Sequence, residues 1–195
     1  MATVSWKGRL LVASPMLADP NFTRSVVLLL AHADEGAFGL VLNRPSGASV
    51  AEVLPRWAED VAPPGVLFRG GPVATGAAIG LVVRPHGEPD AKAETGEPTW
   101  GLFGSGSLAG LVGTVELGAR PVGLPPASLR VFLGSAGWAR GQLEDEVEAG
   151  AWFVVPAEPA DLVSAQPERL WPEVLRRQPG SLAILASYPT DLRAN

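Results

Sequence analysis

The 195-residue chain has no cysteine and only two histidines, His32 and His86. Without thiols there is no disulfide, no thiolate metal site and no cysteine nucleophile. Two histidines are poor material for a His-rich metal centre or a histidine relay. Lysine is equally scarce: Lys7 and Lys92 are the only two, so positive charge is almost entirely arginine. The formal net charge of −5 argues against the clustered basic surface that holds nucleic acid directly. Long apolar runs are missing as well. The longest, Val26 to Ala31, is far below the ~18 residues a membrane helix needs. The N-terminus has no basic region leading into an apolar one, and Pro15 interrupts it. The expectation is a soluble, cytoplasmic protein without membrane contact.

Catalytic motifs are absent in the same way. Neither lysine follows a glycine run of the phosphate-cradling type. Ser135 has Leu133, not glycine, two positions before it, so there is no nucleophile elbow. Gly104 to Ala109 spells G-x-G-x-x-A, but Val112, Gly113 and Thr114 are poor helix formers and no acid lies near position 124 to hold a ribose. That stretch reads as a loop. A Ser-His-acid arrangement would have to recruit His32, which ends a strand, or His86, which sits in a polar loop and makes a poor general base. A satisfied structural histidine is the commoner outcome for His32, and its role stays open. No cofactor motif remains.

What the chain does contain is a core, with 47% hydrophobic residues in a length suited to one domain, 1–195. Gly8 to Pro45 carries the strongest pattern. Leu10 to Ala13 is a short apolar run, and Arg24 to Ala31 is a longer one with no alternation, as in a strand buried on both faces. Phe38 to Leu42 follows after a Gly-containing connection of about five residues, which predicts an antiparallel hairpin. Pro45, lacking an N–H, should halt that ladder.

Ser49 and Glu52 have capping-box spacing ahead of Val50, Val53, Leu54 and Trp57, which predicts a short helix that Pro55 ends or kinks. Further strands are expected over Val66–Arg69, Ala77–Val83, Trp100–Phe103, Leu111–Leu117, Leu129–Leu133 and Ala151–Val155. Residues 84–99 read as a solvated loop. Gly134 to Gly137 should turn the chain towards a helix over Gln142 to Ala149. Asp161 to Ala165 suggests a short turn. Leu170, Trp171, Val174 and Leu175 form a helical stripe with Pro172 at its start, Arg176 and Arg177 at its negative end and Pro179-Gly180 as its stop. Ser181 to Ser187 is ambiguous between helix and extended chain. Within the predicted helix after Gly137, Glu144, Asp145, Glu146 and Glu148 read as a solvated face.

Several of these pieces together resemble one family. A strand, Ser14-Pro15-Met16-Leu17, then Asp19-Pro20-Asn21-Phe22 with Arg24-Ser25-Val26, then His32 with Gly36-Ala37-Phe38-Gly39-Leu40-Val41-Leu42-Asn43-Arg44-Pro45, resemble the AlgH/YqgE family. Leu67 to Val73 and Val131 to Leu143 continue the likeness in the right order. The resemblance implies an α+β fold: a mainly antiparallel, bifurcated sheet curled into a pseudo-barrel with flanking helices. It also implies a bacterial, cytoplasmic protein in a family without an assigned reaction, one branch of which carries a transcriptional-regulator label.

The residues best suited to a site lie in four loops: Asp19 and Asn21, with Arg24 just after them; Asn43 and Arg44; Arg69, Gly70 and Gly71; and Trp138, Arg140 and Gln142. Glycine pairs permit close backbone approach, and the Asn, Arg and Trp beside them supply hydrogen bonds, charge and stacking. Arg24, Arg44, Arg69 and Arg140 could converge on a carboxylate or phosphate. The competing reading is that Asp and Asn cap turns and each arginine pairs with an acid.

Three functions follow. The first is a non-enzymatic binding or regulatory protein whose partner is an unknown protein or a small anionic ligand, acting on nucleic acid indirectly if at all. The second is an enzyme of unrecognised type on a small anionic substrate, which requires Asn43, Arg44 and Arg69 to line one pocket with Gly70 and Gly71. The third is an assembly role through a sheet edge or an exposed tryptophan such as Trp138.

Overall fold

The computed structural model describes residues 5–84, 101–102, 108, 111–115, 117–118 and 124–189. The opening stretch forms β1 (Arg9–Ala13), β2 (Val26–Ala33) and β3 (Gly36–Val41), paired antiparallel in that order. The hairpin is tighter than its sequence suggests. Ala33 pairs with Gly36, so only Asp34 and Glu35 connect the strands. Gly36 has φ +137 and a Cβ there would lie 2.2 Å from the Trp138 carbonyl oxygen, so glycine lets the strand begin beside its neighbour.

β1 and β2 lack alternation because each face has its own cover. Leu10, Val12, Val26 and Leu28 enter one cluster with Trp171, Val174 and Leu175 of α4 (Leu170–Arg176). Leu11, Ala13, Val27 and Leu29 enter a second with Trp138, Trp152 and Leu143 of α2 (Gln142–Glu148). Leu10 to Ala13 and Val26 to Leu29 are all completely buried. Each such Leu or Val contributes roughly 1.5–3 kcal/mol relative to exposure.

After β3 the chain changes sheets. Pro45 does not end the extended structure but begins another strand, β4 (Pro45–Ser49), which pairs with β5 (Val66–Arg69). A proline at the first position of a strand forfeits no central ladder bond. Ser49 is the N-cap of α1 (Val50–Val53), but its side chain makes no capping bond, and a 3-10 turn over Pro55–Trp57 follows. Val50 and Trp57 are buried in a third cluster with Leu129 and Val131, whereas Val53 is exposed. β6 (Val73–Val83), β7 (Gly101–Leu102), β8 (Val112–Val115) and β9 (Leu129–Ala139) follow, then α2, β10 (Trp152–Pro156), α3 (Pro159–Leu162), α4 and α5 (Ser181–Leu185). α4 starts at Leu170, two residues ahead of Pro172, and α5 settles the ambiguous 181–187 segment as helix. Residues 85–100, including His86, lie outside the described residues, as does all of Gly104–Ala109 except the buried Leu108. Arg84, expected to open the solvated loop, is buried, and its N–H donates to Leu111.

The architecture is mixed α+β. Among the described residues, eight of the ten strands follow the path β10-β1-β2-β3-β9-β6-β8-β7, and off it β4 pairs with β5 and β5 with β9. Only β5–β9 is parallel among these ladders. The path is open between β10 and β7 among the described residues, so the closure of a pseudo-barrel is not part of this pairing.

β9 is the branch point. Along one edge it pairs with β6; along the other it pairs with β5 at Phe132 and Leu133, then with β3 from Ala136 to Ala139. The Gly134–Gly137 stretch, expected to be a turn, is continuous strand, corrected by this pairing on both sides. Gly134, at φ +70, marks where the partner changes. The Gly70-Gly71 backbone lies against that bend: a Cβ on Gly70 would be 2.3 Å from the Gly134 oxygen, and one on Gly71, at φ +151, 2.2 Å from the Ser135 oxygen.

Gly71→Ala is therefore expected to destabilise the fold by about 3 kcal/mol, combining overpacking with an unfavourable φ. Gly47→Ala, with nothing within 4 Å of a new Cβ, should lie within ~0.5 kcal/mol of wild type. Urea denaturation distinguishes the two, and equal midpoints would refute the close-approach account.

Candidate functional site

The candidate residues fall into two groups at opposite ends of β3. At the end where β3 leaves the sheet, Asn43 is buried at 4% exposure. Its Oδ1 accepts the Val26 N–H at 2.9 Å and its Nδ2 donates to the Arg24 carbonyl at 2.9 Å. An amide side chain thus replaces ladder bonds where β2 begins, which is why β2 starts at Val26 and not at Arg24. It also holds Arg24 at φ +53, a region few non-glycine residues occupy.

The Arg24 guanidinium points to the C-terminal segment. It donates to the Tyr188 carbonyl at 3.0 and 3.1 Å and to the Pro189 carbonyl at 3.1 Å, and lies 4.1 Å above the Trp171 ring. Burial pushes its pKa down. Asp19 and Asn21 form the preceding turn: Asp19 Oδ1 accepts the Asn21 N–H at 2.8 Å, and the Asp19 carbonyl accepts the N–H groups of Phe22 and Thr23. Both are exposed, while Phe22 at the end of the turn packs on Trp152 and Trp138.

Arg44 and Arg69 are the pair brought together. Pro45 pairs with Phe68, so the preceding Arg44 stands opposite Arg69, and the Arg69 N–H donates to the Arg44 carbonyl at 2.8 Å. Residues opposite each other on adjacent strands share a face. Arg44 is half-buried and its Nη2 donates to the Thr23 carbonyl; Arg69 is exposed. Desolvation first, then the Arg69 charge, lowers the Arg44 pKa. Gly70 and Gly71, as described, pack against β9 backbone.

The other end of β3 carries a polar clamp on α2. Glu146 Oε2 accepts the indole N–H of Trp138 at 2.9 Å and that of Trp152 at 2.7 Å, and its Oε1 accepts Gln142 Nε2 at 2.9 Å. Gln142 Oε1 accepts the Ala139 N–H at 3.0 Å, which joins the end of β9 to the start of α2. Trp138, expected to be exposed, is 6% exposed. An indole N–H buried among apolar groups needs an acceptor, and Glu146 serves two. Beside it, His32 Nδ1 accepts the Trp6 N–H at 3.0 Å, so Nε2 carries the proton donated to Glu144 Oε1 at 3.0 Å. The Trp6 ring stacks on the imidazole with centroids 4.9 Å apart. The expected solvated face of α2 is thus corrected: Glu144 and Glu146 turn inward to these partners. The signal for this was present in Trp138 and Trp152 flanking the helix, each with a donor to satisfy.

The four arginines do not converge. Arg24 is turned to Tyr188, and Arg140 lies exposed between β9 and α2. Gly36 pairs with Ala139 at the far end of β3, and the eight steps along the chain from Gly36 to Arg44 extend roughly 25 Å. Among the described residues no group of three or more acids and histidines is placed to hold a metal ion.

Two further arginines hold structure: Arg130, which sequence reasoning passed over, and Arg177, expected only at the negative end of the helix. Arg130, 1% exposed on β9, donates through Nη2 to the carbonyls of Pro63 at 2.6 Å and Ser164 at 2.9 Å and lies 4.3 Å above Phe68. Burial depresses its pKa to about 10. Arg177 forms a bidentate pair with Asp161, 2.5 Å at each nitrogen, which raises its pKa. Asp161 also accepts the Glu158 N–H at 2.8 Å, so α3 and the end of α4 are locked together.

Glu146→Ala should cost about 3 kcal/mol in denaturant titrations, since two buried indole N–H groups lose their acceptor, and Glu146→Gln should cost less. Unchanged stability of the alanine variant would show that the clamp contributes nothing. Arg69→Glu turns a like-charge cross-strand pair into an attractive one and should raise stability by ~0.5 kcal/mol. A drop in the same assay would mean that Arg69 is held by an attraction, not strained by a repulsion.

A sequence model of the AlgH-like family matches residues 10–183. A UPF0301 protein of Streptomyces coelicolor is 51% identical over 193 residues, covering 98% of this chain and 96% of that protein. A UPF0301 protein of Thermobifida fusca is 43% identical, covering 100% of this chain and 98% of its own. The solution structure of the AlgH protein from Pseudomonas aeruginosa superposes with a TM-score of 0.63 at 32% identity, over 98% of both chains. The crystal structure of a Corynebacterium diphtheriae protein gives 0.80 at 33% identity, over 96% of this chain and 95% of that one. The chain belongs to the AlgH-like family.

Proposed function

We propose that this chain is a non-enzymatic binding protein with a regulatory role exerted through a partner. The observation that carries this reading is the commitment of the acid–base groups near the loops to internal partners. Both His32 ring nitrogens are engaged, Glu144 holds one of them, and Glu146 accepts three N–H groups. A general acid or base must reach the proton it moves, and a ring enclosed by Trp6 and Glu144 has no free nitrogen for that. Of the other loop residues, Asn43 holds the start of β2, and Gly70 and Gly71 admit β9.

Charge supports an indirect route to nucleic acid. At a net −5 the chain is repelled by phosphate backbone overall, and the arginines described here are spread over both ends of the sheet or buried. Among the described residues no helix is long and apolar enough to cross a membrane. Fluorescence anisotropy with labelled duplex DNA should show no salt-sensitive binding tighter than ~1 µM, the upper range of non-specific affinity. Tighter binding that weakens steeply with salt would replace this reading with direct DNA contact.

A further inference from the structure

The arginine pair at the sheet branch has no structural explanation of its own. Arg44, just before β4, stands opposite Arg69 at the end of β5, a placement that costs stability for like charges. Among the described residues no acid forms an ion pair with either arginine. Ion pairs elsewhere join His32 to Glu144, Arg169 to Glu173, and Arg177 to Glu158 and Asp161, and none of these involves Arg44 or Arg69. Arg130, on the neighbouring β9, is sealed under Phe68 and spends its Nη2 on two carbonyls. Arg69, by contrast, is exposed, and Arg44 is only half covered, with Nη2 alone engaged.

The supports of the pair are rigid. The Arg69 N–H bonds the Arg44 carbonyl, Asn43 pins the chain just before Arg44, and the Gly70 N–H donates to Leu133 at 2.7 Å just after Arg69. Two arginines are therefore presented from facing positions on a hydrogen-bonded backbone, near enough that the Arg69 charge lowers the Arg44 pKa, and guanidinium pairs of this kind suit forked recognition of an oxyanion.

We propose that Arg44 and Arg69 form a receptor for a phosphate monoester, a dianion that offsets both charges at once. A carboxylate carries one negative charge and would leave the pair net positive, whereas a phosphate monoester carries about −1.5 to −2 at neutral pH and offers three acceptor oxygens. This rests on the reading of the chain as a binding protein, and it names the ligand class that protein takes.

The test is an NMR titration of the arginine Nε–H signals at neutral pH and constant ionic strength, with inorganic phosphate, phenyl phosphate and acetate as probes. Both phosphates should shift the Arg44 and Arg69 signals saturably, and acetate should bind at least about tenfold more weakly. Arg69→Gln should weaken phosphate binding by about tenfold or more, while Arg9→Gln, an exposed arginine on β1, should leave it unchanged. Linear shifts no larger than those from added chloride, or equal affinity in Arg69→Gln, overturn the receptor and leave the binding-protein reading standing. Release of phenol from phenyl phosphate, lost in Arg69→Gln, would support the receptor and overturn the non-enzymatic reading.

Discussion

Where the Gly70-Gly71 backbone lies against Gly134 and Ser135, a Cβ on either glycine would sit 2.2–2.3 Å from a carbonyl oxygen. That approach lets β5 run parallel beside β9 up to Leu133 and then give way to β3, which takes the same edge from Ala136 onward. Everything that makes the sheet branch follows from it. The chain that leaves β3 must cross the gap between branches, and Leu42 to Arg44 are the residues that cross. Without ladder partners on one side, their backbone is held by Asn43 instead, which also places Arg24 and the start of β2.

The two ends of β3 solve different problems. At the branch, the difficulty is backbone polarity, and an amide side chain and two glycines address it. At the hairpin end, the difficulty is aromatic bulk: Trp138, Trp152 and Phe22 pack with centroid separations of 5.5–6.1 Å and bring two indole N–H groups out of water. Glu146 satisfies both from a single oxygen, and its charge is distributed over three donors. The same helix supplies Glu144 to His32. α2 is short, and its inward acids account for much of how it is fixed to the sheet.

Arginine, nearly the chain's only cation, is used in several distinct ways. Arg177 is paired bidentately with a buried acid, and Arg24 caps carbonyls over an indole. Arg130 bridges two carbonyls under a phenyl ring, with burial opposing its charge. Among the described residues, Arg44 and Arg69 face each other across neighbouring backbone segments without an ion pair to an acid. The fold tolerates that repulsion because the rigid branch leaves neither backbone free to move away.

The sequence by itself determined most of the strands, the two-sided burial of β2, the α2 and α4 helices and the family, because hydrophobic runs and turn residues are local signals. It also identified the residues that lie at the branch, since Asn43, Gly70 and Gly71 are conspicuous wherever they fall. Their use was decided only in three dimensions. Gly134–Gly137 reads as a turn in isolation and becomes strand because β3 and β6 pair with β9 on both sides. Pro45 reads as a stop and becomes a first residue because β5 waits beside it. Glu144 and Glu146 read as solvated until His32 arrives from a distant segment and the flanking strands fold Trp138 and Trp152 onto the helix with donors to satisfy. The grouping of Arg44 with Arg69, and the separation of both from Arg140, belongs to strand register. Contacts between residues far apart in the chain leave no periodic trace in it, so only the tertiary structure could assign them.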